Sequence, residues 1–314
     1  MKDFINKLKE FATKRDRGRY RDWRGHYASG NLTCMRDQYW KLTGEPETNT
    51  TDFTGSMKMM VGDAIEKGLV DALISKLHYL GYHLRSVQGS VGGSNPNWNG
   101  YLDALIDQRV DGGWRPFVVE IKSKSGIGAN FFYDRPEPSK EYMTQLGLYL
   151  HDLYNKKGIT DGCFLYLLLS DKHFGTLVQV NCKYDPETTT IRAYSFSNTD
   201  GRMGNISASV NITDALARWV KLEEHIKNKD VPKGEYRYKH DLTQEMLRSI
   251  SDNQLKKLIE GKAVIGDWNV IYSRYFDKQL EADGVSKGRS LQEKKIALVE
   301  YIRRHPKSKL TVEE

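Results

Sequence analysis

The chain has 314 residues, 39% of them hydrophobic and 28% charged, enough for one large domain or two of ordinary size with a proper buried core. Its 48 lysines and arginines against 41 aspartates and glutamates give a formal charge of +7, a mild basic excess that suits a polyanionic partner. No apolar run approaches the ~20 residues of a membrane span. Three scattered cysteines form no disulfide framework, and the first residues lack the apolar stretch of a secretory signal. A cytoplasmic protein is expected, whether cellular or phage-encoded and acting in a host cytoplasm, with no membrane partner.

In chain order, residues 2–13 predict an amphipathic helix, with Phe4, Ile5, Leu8, Phe11 and Ala12 on one face. The link from Lys14 to Arg24 carries six basic and two acidic residues with Tyr20 and Trp23 interleaved, a composition that neutralises phosphates and stacks on bases. Residues 55–80 predict one long helix, since Met59, Ile65, Leu69, Leu73 and Leu77 recur at three- and four-residue steps. Residues 82–91 predict a strand, and Val87 to Asn99, rich in glycine, serine and asparagine, a turn-rich approach to the next one. Two strands follow, NGYLDALID and PFVVEIKSKS, separated by the turn DGGWR, then a helix carrying YMTQLGLYL. Gly162–Ser170, Leu177–Cys182 and Ile191–Phe196 predict three more strands, and residues 211–228 a capped helix. Beyond about residue 231 everything is helical and charged: 242–249, 253–261 and 288–304, the last with Ile296, Leu298, Val299 and Ile302 as its stripe. The organisation expected is an N-terminal helical and basic region (1–60), an α/β core with a mixed sheet (61–230), and a C-terminal helical region (231–314) packing back on the core.

The chemistry concentrates between Gly100 and Tyr149. On a strand, alternate side chains share a face, so Glu120, Lys122 and Lys124 point one way while Val119 and Ile121 point the other. A hairpin brings Asp103 beside Glu120. Two adjacent carboxylates repel unless a cation sits between them, and a hard divalent ion, Mg²⁺ or Mn²⁺, is the natural occupant. Lys122 is then placed to hold a water or balance charge on a phosphate. Gln145 and Tyr149, spaced i, i+4, share one face of the following helix. No His-x-x-His or Cys-x-x-Cys spacing suggests zinc, Gly92-Gly93-Ser94 lacks the ending of a P-loop, and no Gly-x-Ser-x-Gly elbow occurs. Without Walker motifs the chain has no motor, so any helicase action belongs to a partner.

The ordered set Asp103, Glu120-x-Lys122, Gln145-x-x-x-Tyr149 resembles the signature of PD-(D/E)xK nucleases, and in particular of RecB-like exonucleases such as the CRISPR adaptation and AddB types. Ser29, Cys34, Arg36 and Tyr39 resemble the N-terminal Ser…Cys-x-Arg-x-x-Tyr box of that group, so the likeness runs from about residue 26 to 276. It implies a restriction-endonuclease-like α/β core, with a central mixed sheet flanked by helices. It also implies Mg²⁺-dependent hydrolysis of single-stranded or frayed DNA ends in replication, recombination or repair, with a helicase or recombination partner. Asp103, Glu120 and the Ile121 carbonyl are expected to hold the metal, and Lys122 to act in catalysis. Gln145, Tyr149, Lys124, Arg36 and Ser29 are expected to contact DNA. Where relatives carry Gly-x-x-x-His, this chain has Gly62 and Glu66, so a carboxylate takes the histidine's place, with Asp63 as the spare candidate. Relatives with an iron–sulfur cluster use three further cysteines, but the matching region around Trp268, Tyr272 and Tyr275 has Val270 and Ser273 instead. Four ligands are needed, so no cluster is expected and Cys34 becomes a small buried hydrophobe. A restriction-like or structure-specific endonuclease and a catalytically inactive DNA-binding module are the alternatives.

Overall fold

Eight strands form one mixed sheet in a computed structural model that describes residues 25–49, 53–72, 74–236, 238, 242–261, 270, 273–286 and 288–306. The helix expected at 2–13, the basic link at 14–24, Trp268 and Tyr272 lie outside the described residues. The strands are β1 (His26–Tyr27), β2 (Tyr82–Ser94), β3 (Asn97–Val110), β4 (Gly113–Ser125), β5 (Asp161–Leu169), β6 (Leu177–Asp185), β7 (Thr190–Asn198) and β8 (Met203–Asn211). Their order is β1-β3-β4-β5-β6-β7-β8, with β2 also paired to β3. β4 runs parallel to β5 and β1 parallel to β3, and every other pairing is antiparallel. The mixed α/β architecture expected from the sequence is present.

The chain divides into two compact units, Met1–Thr33 with Thr51–Lys229, and Cys34–Thr50 with Asp230–Glu314. In the first, the sheet is covered on both faces. Helix α1 (Phe53–Ala72) and the 3₁₀ segment Ile74–Leu80 bring Leu69, Val70 and Ile74 onto Ala104, Ile106, Val119, Ile121 and Cys163. On the other face lie α3 (Lys140–Lys157), which follows α2 (Gly126–Asp134), and α4 (Thr213–Asn228). There Met143, Leu146, Leu148, Leu150 and Trp219 pack on Val118, Phe164, Val180 and Ile191. α3 is well specified: the Ser139 hydroxyl caps its start by accepting from the Tyr142 N–H, and Gly158, at φ 69°, ends it. Each of its fully buried leucines contributes about 1.5–3 kcal/mol by leaving water.

Three expectations are corrected, and two elements are new. The long helix ends at Ala72 and Leu77 lies in 3₁₀ geometry, because a spacing of three or four does not separate the two. Val87–Asn99 is mostly ladder, with β2 running through Ser94 and β3 starting at Asn97. Its glycines serve close packing: a Cβ on Gly92 would stand 2.4 Å from the Trp98 carbonyl oxygen, and one on Gly93 2.6 Å from the Trp98 Nε1. Strand β8 and helix α2 were not foreseen. Helix α4 starts at Thr213, not at 211: Ile212 offers no side-chain cap, and Asn211 Oδ1 accepts the Thr213 N–H at 2.8 Å.

The second unit contains the helices Met35–Thr43, Gln244–Ser249, Asp252–Ile259, Phe276–Ala282 and Leu291–Arg304. Leu247, Leu255, Leu258 and Ala297 form one of its cores. Cys34 is buried as expected and also accepts a hydrogen bond from the wholly buried Gln279 amide at 3.3 Å. That amide also donates to Asp37 at 2.7 Å, while its oxygen accepts from Arg36 at 3.1 Å.

Candidate active site

Residue spacing on β3 and β4 builds the centre. The ladder pairs Ala104 with Val119, which carries Asp103 past the end of the pairing to meet Glu120 and Ile121. Asp103 Oδ2 accepts the Ile121 backbone N–H at 2.6 Å. Lys122 Nζ donates to Glu120 Oε1 at 2.6 Å, and the Gln145 amide of α3 donates to the same oxygen at 2.8 Å and to the Tyr149 hydroxyl at 2.8 Å. The structure thus brings together Asp103, Glu120, Lys122, Gln145 and Tyr149. Val119 and Ile121 go to the opposite face, as the strand period requires.

Glu66, on α1, joins them. The Gln88 side chain donates to Glu66 Oε1, and the charges of Glu66 and Asp103 bear on each other. Burial, then the Asp103 charge, pushes Glu66 up to about 7, with Asp63 adding to the repulsion. Burial also raises Asp103. Glu120, 1% exposed, is pushed up to about 8, mainly by burial, with Asp103 and Glu66 working against the relief from Lys122. Burial alone would lower Lys122, but the Glu120 and Asp103 charges outweigh it and hold the ammonium protonated. Tyr149 is raised well above its ordinary value by burial and then by Glu120, so its hydroxyl is a neutral donor and acceptor.

Glu120 Oε1 has two donors, but Oε2 is buried without a partner. An orphaned carboxylate oxygen within reach of the charges of two further carboxyls is the donor chemistry of a hard divalent cation. Among the described residues no three His, Cys, Asp or Glu side chains converge closely enough to enclose an ion by themselves. The fit is therefore one of donor type, and backbone oxygen or water must complete the set.

Three residues not singled out from the sequence shape this site. Gln88, at φ 51°, holds a left-handed conformation within β2, where the pairing passes from Val87–Ala104 to Gly89–Leu102 and skips Asp103. Strain at a non-glycine residue is characteristic of functional sites, and no sequence pattern announces it. Gly100 lies under Tyr149: a Cβ there would sit 2.4 Å from the ring. A glycine in a strand interior was the available signal. Tyr142 lies between two cations, its ring 5.1 Å from Lys122 Nζ and 5.4 Å from Lys124 Nζ.

Two expected DNA contacts fare differently. Ser29 is exposed, in a 3₁₀ turn of the first unit. Arg36 is a correction: in the second unit it is buried and bound to the Pro232 carbonyl at 2.8 Å, to Gln279, and to Asp283 at 2.8 Å. A guanidinium so committed is an internal clamp, not a surface contact. Among the described residues no helix is long and apolar enough to cross a membrane.

No family model and no curated protein sequence matches the chain. Among solved structures, an alkaline exonuclease from Laribacter hongkongensis is similar at 14% identity, covering 66% of this chain and 91% of that one, with a TM-score of 0.38. Its complex with dAMP gives the same identity and coverage and a TM-score of 0.36. The protein SSO0001 is similar at 15% identity over 73% of this chain and 89% of its own, with a TM-score of 0.36. At such identities and scores these likenesses decide nothing about chemistry, which rests on the side chains themselves.

Proposed function

We propose that the chain is a divalent-metal-dependent deoxyribonuclease, an exonuclease acting on single-stranded or frayed ends. The observation that carries this is Glu120, whose Oε1 is fixed by Lys122 and Gln145 while its buried Oε2 lacks a partner beside Asp103. Asp103, Glu120, the Ile121 carbonyl and Glu66 would hold Mg²⁺ or Mn²⁺, which when bound supplies Lewis acidity and lowers the pKa of water. The Ile121 N–H fixes the Asp103 carboxylate, so no reorganisation is needed when charge develops. Lys122 keeps its proton and so can donate to a water or to an anionic phosphate oxygen. Gln145, held by Tyr149, orients Glu120, and the two residues would help position an adjoining nucleotide.

End-labelled linear, hairpin-blocked and circular single-stranded DNA, incubated with and without Mg²⁺, test the proposal. Loss of the linear substrate alone, only with metal, supports it; cutting of the circle points to an endonuclease, and no cutting at all removes the assignment. An inactive nucleic-acid-binding module is the second reading. It is favoured by Lys122 already neutralising Glu120 and by the absence, among the described residues, of three convergent ligands. Metal-stimulated cleavage would exclude it.

A further inference from the structure

A groove of about 720 Å³ is lined by Lys124, which lies on β4 four residues beyond Glu120, and by Phe131, Phe132, Arg135 and Lys140, with Asp134 and Glu137 among its other residues. It lies wholly within the first unit, between α2 and the start of α3. Lys124 ties it to the site: its ammonium stands 5.4 Å from the Tyr142 ring that Lys122 also faces, and 5.7 Å from the Phe132 ring. Phe132 is buried and anchors the groove's floor, whereas its neighbour Phe131 is 71% exposed. Among the described residues none of Lys124, Arg135 and Lys140 is ion-paired. An open aromatic face among cations outside any ion pair suits a strand whose bases are unstacked and whose backbone is anionic, since every base offers a π-face and every phosphate a charge. A duplex keeps its bases stacked and offers the ring nothing to cover.

We propose that this groove is the track for single-stranded nucleic acid leading to the carboxylates. Phe131 is the base-stacking platform, and Lys124, Arg135 and Lys140 follow the backbone. This rests on the nuclease reading for its direction but not for its test. The test is fluorescence anisotropy of a labelled twenty-residue oligothymidylate with the full chain in EDTA, beside an abasic oligonucleotide of equal length. Phe131→Ala weakens oligothymidylate binding about tenfold or more and leaves the abasic strand's affinity unchanged, while Phe131→Trp restores binding. The ring is solvent-facing, so an unchanged melting temperature is expected and serves as the folding control. Equal loss on both strands, no loss on either, or no oligothymidylate binding by the wild type overturns the proposal. Since metal is absent, a chain that binds in this pattern but never cuts refutes only the nuclease reading. A chain that cuts while Phe131→Ala binds normally refutes only the track.

Discussion

Two groups of carboxylates in this protein are built to opposite ends. In the second unit Glu293 is burdened by burial, yet bonds from Arg289 at 2.7 Å and from the Ser290 N–H at 2.8 Å outweigh it and hold it down at about 2. Glu300 there, held by Arg303 at 2.7 and 2.8 Å and by Arg304 at 3.0 Å, is likewise down at about 2. In the first unit Glu66, Asp103 and Glu120 crowd together with one ammonium among them, and all three are raised. Pairing each anion with cations stabilises a fold; gathering anions does not. On the reading proposed above, the first-unit cluster stands ready for the cation it would receive.

The largest effect should come from emptying that cluster of one charge. Asp103→Asn keeps an oxygen for the Ile121 N–H, so the cleavage rate with Mg²⁺ should fall by about 10³-fold or more while the metal-free melting temperature stays level or rises. A drop in both would make Asp103 a structural residue like Glu293. Lys122→Ala should cost about 10²–10³-fold in rate, read in the same end-label assay. The converse change is Glu293→Ala, which strips the buried Arg289 of its carboxylate and the last helix of its capping box. It should lower stability by about 1–3 kcal/mol in urea melts and leave cleavage by the folded protein unchanged. Its pH dependence has a definite sign. The folded pKa lies below the ordinary 4.5, so the contribution is present above about pH 4.5 and is lost as pH falls toward about 2. The gap between wild type and variant should close over that window, and a gap constant to pH 2 would contradict the ion-pair account. Smallest is Gly100→Ala, whose methyl displaces the buried Tyr149 ring and should cost roughly tenfold in rate and about 1–3 kcal/mol in stability.

Much of the core was legible because it obeys simple periods. A continuous apolar run foretold β5, alternation foretold the two faces of β4, β6 and β7 were also expected, and a four-residue step foretold the Gln145–Tyr149 contact. What stayed hidden lacked such a signal. β8 (MGNISASVN) is built of small and polar residues whose inward positions, Ile206, Ala208 and Val210, are only partly buried. Gly92 and Gly93 look like a turn and are in fact room for Trp98. The left-handed backbone of Gln88 and its hold on Glu66 are tertiary features that no local pattern encodes. Arg36 fits a surface motif by spacing, but its burial comes from partners some two hundred residues away in sequence, Pro232, Gln279 and Asp283.

The most direct test of the carboxylate cluster as a cation receptor is calorimetric titration of the full chain with Mn²⁺ at neutral pH. Wild type should bind with protons released, and both Asp103→Asn and Glu120→Gln should lose at least tenfold in affinity. Wild-type heats no different from those of the two variants would contradict it.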